Sequence, residues 1–185
     1  MSKAPVEFFF DFNSPYGYVA AHLIDDIAAK HGRTADWKPF LLGAVFKVTG
    51  AIPLPEAPMK GPYSKHDFGR SAGFHGLSYN PPEVIPFSPT AASRAVYWAK
   101  AQDPASARMM GLALYKAALG EGMDIAGPDA VAAVAGKAGF DAAAVAEGIQ
   151  DPAIKEQLKT ETEAAIGKNV FGSPYFIVDG EGFWG

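Results

Sequence analysis

Between Val6 and Leu42 the chain imposes a constraint that few folds can meet. Val6 to Phe12 is a short, almost wholly apolar run rich in phenylalanine, too short for a helix, and it reads as a buried strand. Ser14-Pro15 follows: a serine that can cap a helix, then a proline at the first helical position, where a missing N–H costs nothing. Tyr16, Val19, Ala20, Leu23, Ile24 and Ile27 fall on one helical stripe, which His31-Gly32 ends. Ala35 to Leu42, with Trp37 and Phe40 as its bulky residues, reads as a second strand. Strand, helix and strand at this spacing form a βαβ unit, whose strands pair in parallel.

The texture then changes. Gly50 to Pro62 holds four prolines and reads as a loop, and Lys65 to Gly76 reads as a short helix. A second proline-rich loop runs from Asn80 to Pro89. At its end Ser88-Pro89 repeats the cap signature and opens a helix to about Ala101. Alanine-rich helices are predicted over Pro104 to Leu119, Pro128 to Ala138, Asp141 to Ile149 and Asp151 to Gly167. Strand chemistry returns at Tyr175 to Val178. Asp179-Gly180 is a tight hairpin turn, and Gly182-Phe183-Trp184 begins the return strand. With β structure at both ends and helix between, the expected architecture is α/β. Residues 1–43 and 169–185 form one domain, and residues 44–168 form a helical domain inserted into it.

Composition narrows the function. A chain of 185 residues that is 49% hydrophobic can bury one good core, or two small domains sharing one. A net charge of -4 with scattered basic residues argues against nucleic acid as a partner. The absence of cysteine excludes disulfides and a thiolate supplied by the protein itself. No stretch approaches the roughly 18 apolar residues that cross a membrane. The amino end lacks a basic-then-apolar leader pattern, so a cytoplasmic protein is expected. His22, His31, His66 and His75 show no ligand spacing, and no metal site is expected.

Two stretches can carry chemistry, and each has a plainer alternative. Ser14 stands where a strand meets a helix start, whose free N–H groups and dipole favour an anion such as a thiolate or carboxylate; equally, it is an ordinary N-cap. Phe171-Gly172-Ser173-Pro174-Tyr175 places a proline at the head of a strand, which marks either an edge strand or a special turn. A cis bond there would let the Ser173 backbone pair with an extended peptide-like ligand. Taken together, the order of elements is that of a thioredoxin fold with a helical insert. Ser14-Pro15-Tyr16-Gly17 occupies the place of the Cys-x-x-Cys pair. Such a fold without thiols can still bind a thiol from outside, and glutathione is the obvious candidate.

Three segments carry a resemblance. Phe10-Asp11-Phe12-Asn13-Ser14-Pro15-Tyr16-Gly17-Tyr18 resembles the opening motif of the 2-hydroxychromene-2-carboxylate isomerases, relatives of kappa-class glutathione transferases with a DsbA-like thioredoxin fold. Phe40 to Gly50 resembles their second motif, and Asn169 to Phe176 with Asp179 to Gly185 their third. The resemblance implies that Ser14 bonds the glutathione sulfur and favours its thiolate. It implies that Lys47 lies near glutathione or the substrate carboxylate, although Lys47 alone reads as a solvated lysine after an apolar strand. Ser173, ahead of a cis Pro174, would hold the glutathione backbone, and Trp184 and Gly185 would border its γ-glutamyl end. Two departures stand out. Ala51 replaces an asparagine found in many relatives, and the family continues past Trp-Gly, which suggests a chain cut short after Gly185.

The function so implied is glutathione-dependent cis-trans isomerisation of 2-hydroxychromene-2-carboxylate or a similar aromatic carboxylate in naphthalene-type catabolism, by a homodimer. A kappa-like glutathione transferase or peroxidase of broad specificity is the alternative enzyme. A non-catalytic thioredoxin-fold binding module is the alternative of a different class. A serine hydrolase is a poor third option, since no Gly-x-Ser-x-Gly elbow surrounds Ser14.

Overall fold

The computed structural model describes residues 3–185. Four strands form one sheet in the order β2-β1-β3-β4. Strand β1 (Val6–Phe10) pairs in parallel with β2 (Ala35–Pro39) and antiparallel with β3 (Tyr175–Val178), and β3 continues antiparallel into β4 (Glu181–Trp184). The second partner of β1 thus comes from the far end of the chain, with most of the helices between them in sequence. The class is α/β, as the element order implies.

Phe8, Phe9 and Phe10 are all buried, so the apolar run does not alternate. A strand buried on both faces reads this way, because each side needs an apolar cover. On one face Phe8 and Phe10 stack at 5.0 Å, and Trp37 meets both edge-on at 5.1 and 5.4 Å. On the other face Phe9 meets Phe40, and Tyr175 and Ile177 join the same cluster. Pro39 is tolerated because it ends β2, an edge strand.

The strand β1 stops at Phe10, two residues short of the expected Phe12. Asp11 leaves the ladder because its carboxylate turns inward to bond other backbone, as described below. The helix α1 (Pro15–Lys30) starts where its sequence signals place it, but its buried stripe is rotated. Tyr18, Ala21, Ile24 and Ala28 face the core, whereas Ile27 is about half exposed. Alanine lets the backbone approach its neighbours closely, and that packing overrides the simple apolar stripe.

The largest difference follows β2. The strand ends at Pro39, and Leu42–Thr49 is a helix, α2, closed by Gly50 in the left-handed region at φ 72°. A single 3₁₀ turn (Leu54–Glu56) leads to α3 (Lys60–Phe74), which begins five residues earlier than Lys65. The helix α4 (Thr90–Gln102) is capped by Pro89 without a side-chain bond, so Ser88 does not cap it. The helix α5 (Pro104–Tyr115) runs on into a π-helical turn over Lys116–Gly120, within the span expected to be one helix. The helices α6 (Pro128–Lys137), α7 (Ala142–Gly148) and α8 (Pro152–Gly167) match expectation within a residue, and Asp141 and Asp151 cap α7 and α8 through their carboxylates. One apolar cluster joins Phe8 and Phe10 of the sheet to Val96, Met110, Leu114 and Val131 of the helices. The helix α8 also returns to the sheet, where Glu161 pairs with Lys38 at 3.1 Å.

Candidate functional site

Ser14 lies where β1 ends and α1 begins, and every polar atom it carries is engaged. Its Oγ accepts from the Gly17 N–H at 3.0 Å, as an N-cap does, and donates to the Ser173 carbonyl at 2.7 Å. Its N–H donates to the Asp11 carbonyl, and its carbonyl accepts from Tyr18. A second cross-link ties the same two turns: the Asp11 N–H donates to Ser173 Oγ at 2.9 Å. Residues 159 and 162 positions apart therefore form one small polar knot. The Ser173–Pro174 bond within it is cis. The first turn of α1 carries no acid of its own.

Asp11 is the group around which the knot is built. It is fully buried, yet its carboxylate accepts from Asn13 N at 2.8 Å, Asn13 Nδ2 at 3.2 Å and Leu42 N at 2.9 Å. Burial pushes its pKa up, and these three N–H donors pull it back. The bond to Leu42 explains why α2 forms: Leu41 offers no side-chain cap, and Asp11 supplies one across space. The Asp11 carbonyl also accepts from the buried Tyr115 hydroxyl at 2.9 Å. Burial holds the Tyr115 hydroxyl well above its ordinary pKa, so it remains a donor.

Gly17 is required here by space. A Cβ at this position would meet the Tyr115 hydroxyl at 2.6 Å and Ser14 and Ser173 at 3.1 Å each. Asn13 holds the long loop before α4: its Nδ2 donates to Phe87 O at 3.0 Å and its Oδ1 accepts from Phe87 N at 2.9 Å. Tyr16 ties α1 to α3 by donating to Asp67 at 2.8 Å, and Arg70 holds Asp67 from its other side. Burial and the Asp67 carboxylate push the Tyr16 hydroxyl up to about 12.

The structure brings Ser14, Ser173 and Pro174 together. Trp184 lies close by, paired with Tyr175 across the hairpin and packed over Gly172, where a Cβ would meet the indole nitrogen at 2.2 Å. Gly185 follows it at the exposed edge. Lys47 is exposed on α2, and no hydrogen bond joins it to Ser14 or Ser173. It lies within a helix rather than after a strand. Asp11, Asn13, Gly17 and Tyr115 belong to the site and were not singled out from sequence. Asp11 alone carried a signal, as a charge inside an aromatic strand. Among the described residues no group of three or more His, Asp or Glu could hold a metal ion, and no helix is long and apolar enough to cross a membrane.

The donor set suits a thiolate, with a buried hydroxyl at a helix start whose first turn carries no acid, and with no competing cysteine. The hydroxyl has one proton, however, and it lies on the Ser173 carbonyl. Donation to a sulfur requires that bond to open.

Comparison with known proteins gives this arrangement a lineage. The model of the DSBA-like thioredoxin domain matches residues 5–185. A 2-hydroxychromene-2-carboxylate isomerase of Sphingobium xenophagum is 28% identical over 196 residues, covering 97% of this chain and 91% of that protein. Glutathione S-transferase kappa 1 of Homo sapiens is 26% identical, covering 95% of this chain and 82% of that protein. The solved structure of a 2-hydroxychromene-2-carboxylate isomerase superposes with a TM-score of 0.86 at 27% identity, over 97% of this chain and 88% of that one. A family match over nearly the whole chain, together with this superposition, shows that the chain belongs to the DSBA-like thioredoxin domain family and is similar along its length to 2-hydroxychromene-2-carboxylate isomerases.

Proposed function

We propose that this protein is a glutathione-dependent isomerase acting on 2-hydroxychromene-2-carboxylate or a similar aromatic carboxylate. The observation that carries the reading is the placement of Ser14: a buried hydroxyl at the start of α1, bonded to the carbonyl beside Pro174, in a chain with no cysteine. The similarity to proteins named for that isomerase activity and to a kappa glutathione transferase supports both the reaction and the cofactor.

Glutathione, when bound, supplies a thiolate that adds reversibly to the conjugated double bond, so that the bond can rotate and be restored on elimination. The protein's part is to hold and orient. Ser14 would donate its hydrogen bond to the sulfur in place of the Ser173 carbonyl, and the start of α1 would favour the anion. Ser173 and Pro174 would present main chain to the peptide, and Trp184 and Gly185 would border it. Asp11 and Tyr115 hold the turns in register. Lys47 would serve only if the ligand reaches the outer turns of α2.

The decisive experiment is calorimetric titration of glutathione into the full chain and into Ser14→Ala, followed by an isomerase assay on 2-hydroxychromene-2-carboxylate. Saturable binding, with a thiolate absorbance near neutral pH that fades in the variant, supports the reading. Absence of binding sinks it. A kappa-like transferase is the second reading, favoured by the match to the human kappa enzyme. It predicts conjugates of electrophilic aromatics as products in place of the isomer.

A further inference from the structure

Asp11 is a buried charge to which the isomerase reading gives no part in the chemistry. It is 1% exposed. Among the described residues no Lys, Arg or His nitrogen lies within 4.0 Å of its carboxylate. A buried ion without a counter-ion is destabilising unless dipoles hold it. Here they do. Oδ1 accepts from the N–H and Nδ2 of Asn13, and Oδ2 accepts from the N–H of Leu42, the first residue of α2. The positive end of α2 is thus occupied by Asp11. All three partners are donors. A proton on Oδ2 would have to displace the Leu42 N–H, so these turns are built for the ionised form, against the pull of burial.

The start of α1 has a different task. Ser14 caps it, and a sulfur bound there would collect negative charge. Two short routes join Ser14 to Asp11. The Asp11 carbonyl accepts from the Ser14 N–H at 2.9 Å. Ser173 links them again, since its Oγ accepts from the Asp11 N–H and its carbonyl accepts from the Ser14 hydroxyl. Ser14 is itself only 7% exposed, so charges at the two residues are weakly screened. Tyr115 is the titratable group that α5 brings to Asp11, and burial keeps its phenol protonated and neutral. The first turn of α1 brings no acid, and Lys47 of α2 is exposed and forms no ion pair with Asp11.

We propose that the ionised Asp11 opposes, through space, the negative charge that gathers on a sulfur at Ser14, and so keeps that sulfur basic enough to attack. The proposal rests on the glutathione reading for the identity of the sulfur. The start of α1 and the Ser14 hydroxyl favour the thiolate. A thiolate's nucleophilicity falls as the anion becomes easier to form, however, and the best attacking thiol titrates near ambient pH. Left unopposed, the helix start would give a stable and sluggish anion. A like charge nearby raises the thiol back towards the working range. This effect is separate from the scaffold that Asp11 provides. A neutral side chain of the same shape keeps most of the scaffold and loses the field.

The chain has no cysteine, so Ser14→Cys places a single thiol at this point, and its thiolate can be titrated by ultraviolet absorbance without glutathione. That thiol is expected to titrate below the ordinary cysteine value of about 8.5. Adding Asp11→Asn should lower it by about one further unit, or roughly tenfold more thiolate at a fixed pH below the titration. A merely structural loss would do the opposite, letting the thiol drift up towards about 8.5. The coupling is reciprocal. In Ser14→Cys the Asp11 carboxyl carbon, followed by NMR, should read as ionised at neutral pH and shift again where the thiol titrates. This second measurement leaves Asp11 in place and decides the matter if Asp11→Asn fails to fold. The proposal is overturned if Asp11→Asn leaves the thiol's titration unchanged or raises it, if Asp11 is protonated at neutral pH, or if its signal passes the thiol's titration without a shift. Failure of the parent chain to bind glutathione would sink the isomerase reading and leave these outcomes as they stand.

Discussion

Ser14-Pro15 and Ser173-Pro174 are the same dipeptide at the heads of two elements, and they serve the site by different atoms. At Ser14 the side chain acts: its hydroxyl caps α1 at Gly17 and reaches across to Ser173. At Ser173 the main chain receives that proton, while the hydroxyl accepts from Asp11. A third copy, Ser88-Pro89, does neither; its hydroxyl meets only the Thr90 hydroxyl at 3.4 Å, at the surface. The three dipeptides are locally alike. They differ in what β1 brings to them, since Asp11 at the end of that strand bonds to the turns of the first two and not to the third. A serine-proline pair offers a cap, and its surroundings decide whether the offer is used.

The contrast can be broken first at Asp11. Asp11→Ala removes the acceptor for two partly buried backbone N–H groups, Asn13 and Leu42, and should cost about 2–5 kcal/mol in chemical denaturation. A loss below about 1 kcal/mol would show that the knot holds without its centre. Gly17→Ala comes next. The added methyl meets a rigid buried phenol and should destabilise by about 1–3 kcal/mol. It should also weaken glutathione binding, because the methyl displaces Ser14 and Ser173, which it meets at 3.1 Å each.

Ser14→Ala and Ser88→Ala sharpen the comparison directly. The first should lose about 1 kcal/mol as an N-cap, and the second should stay within about 0.5 kcal/mol, as an exposed residue without a structural bond. Equal losses would erase the distinction between the two serines. The smallest effect concerns the tie between α1 and α3. Asp67→Asn removes the carboxylate that, with burial, raises Tyr16, and the phenol should fall from about 12 towards its ordinary 10, read by ultraviolet or NMR titration. The sign follows from the raised value. The protonated phenol contributes stability below about pH 10, and that contribution is lost as pH rises from about 10 to about 12. In the Asp67→Asn variant this loss should be smaller and complete at a lower pH.

Much of the site was legible where chemistry is local. The Ser14 cap, the proline at the head of α1 and the Asp179-Gly180 hairpin are each encoded within a few residues, and they stand where the sequence places them. Residues 42–49 were missed as a helix because the first-turn acceptor comes from Asp11, 31 positions away. The face of α1 was misjudged at Ile27 because alanines, weak in any hydrophobic pattern, pack closest. Tyr115 carried no signal, since its partner is a carbonyl and every residue has one.

By itself the sequence determined the α/β class, the parallel βαβ start, the absence of a protein thiol and the resemblance of its motifs, because spacing, composition and turn chemistry act over short range. Only the tertiary structure decided that Asp11 organises the site, that the Ser14 hydroxyl is bonded to the Ser173 carbonyl, and that Lys47 sits on an exposed helix rather than after a strand. The reason is physical. A buried polar group must find its hydrogen bond wherever the fold brings one, and the fold brings it from the other end of the chain.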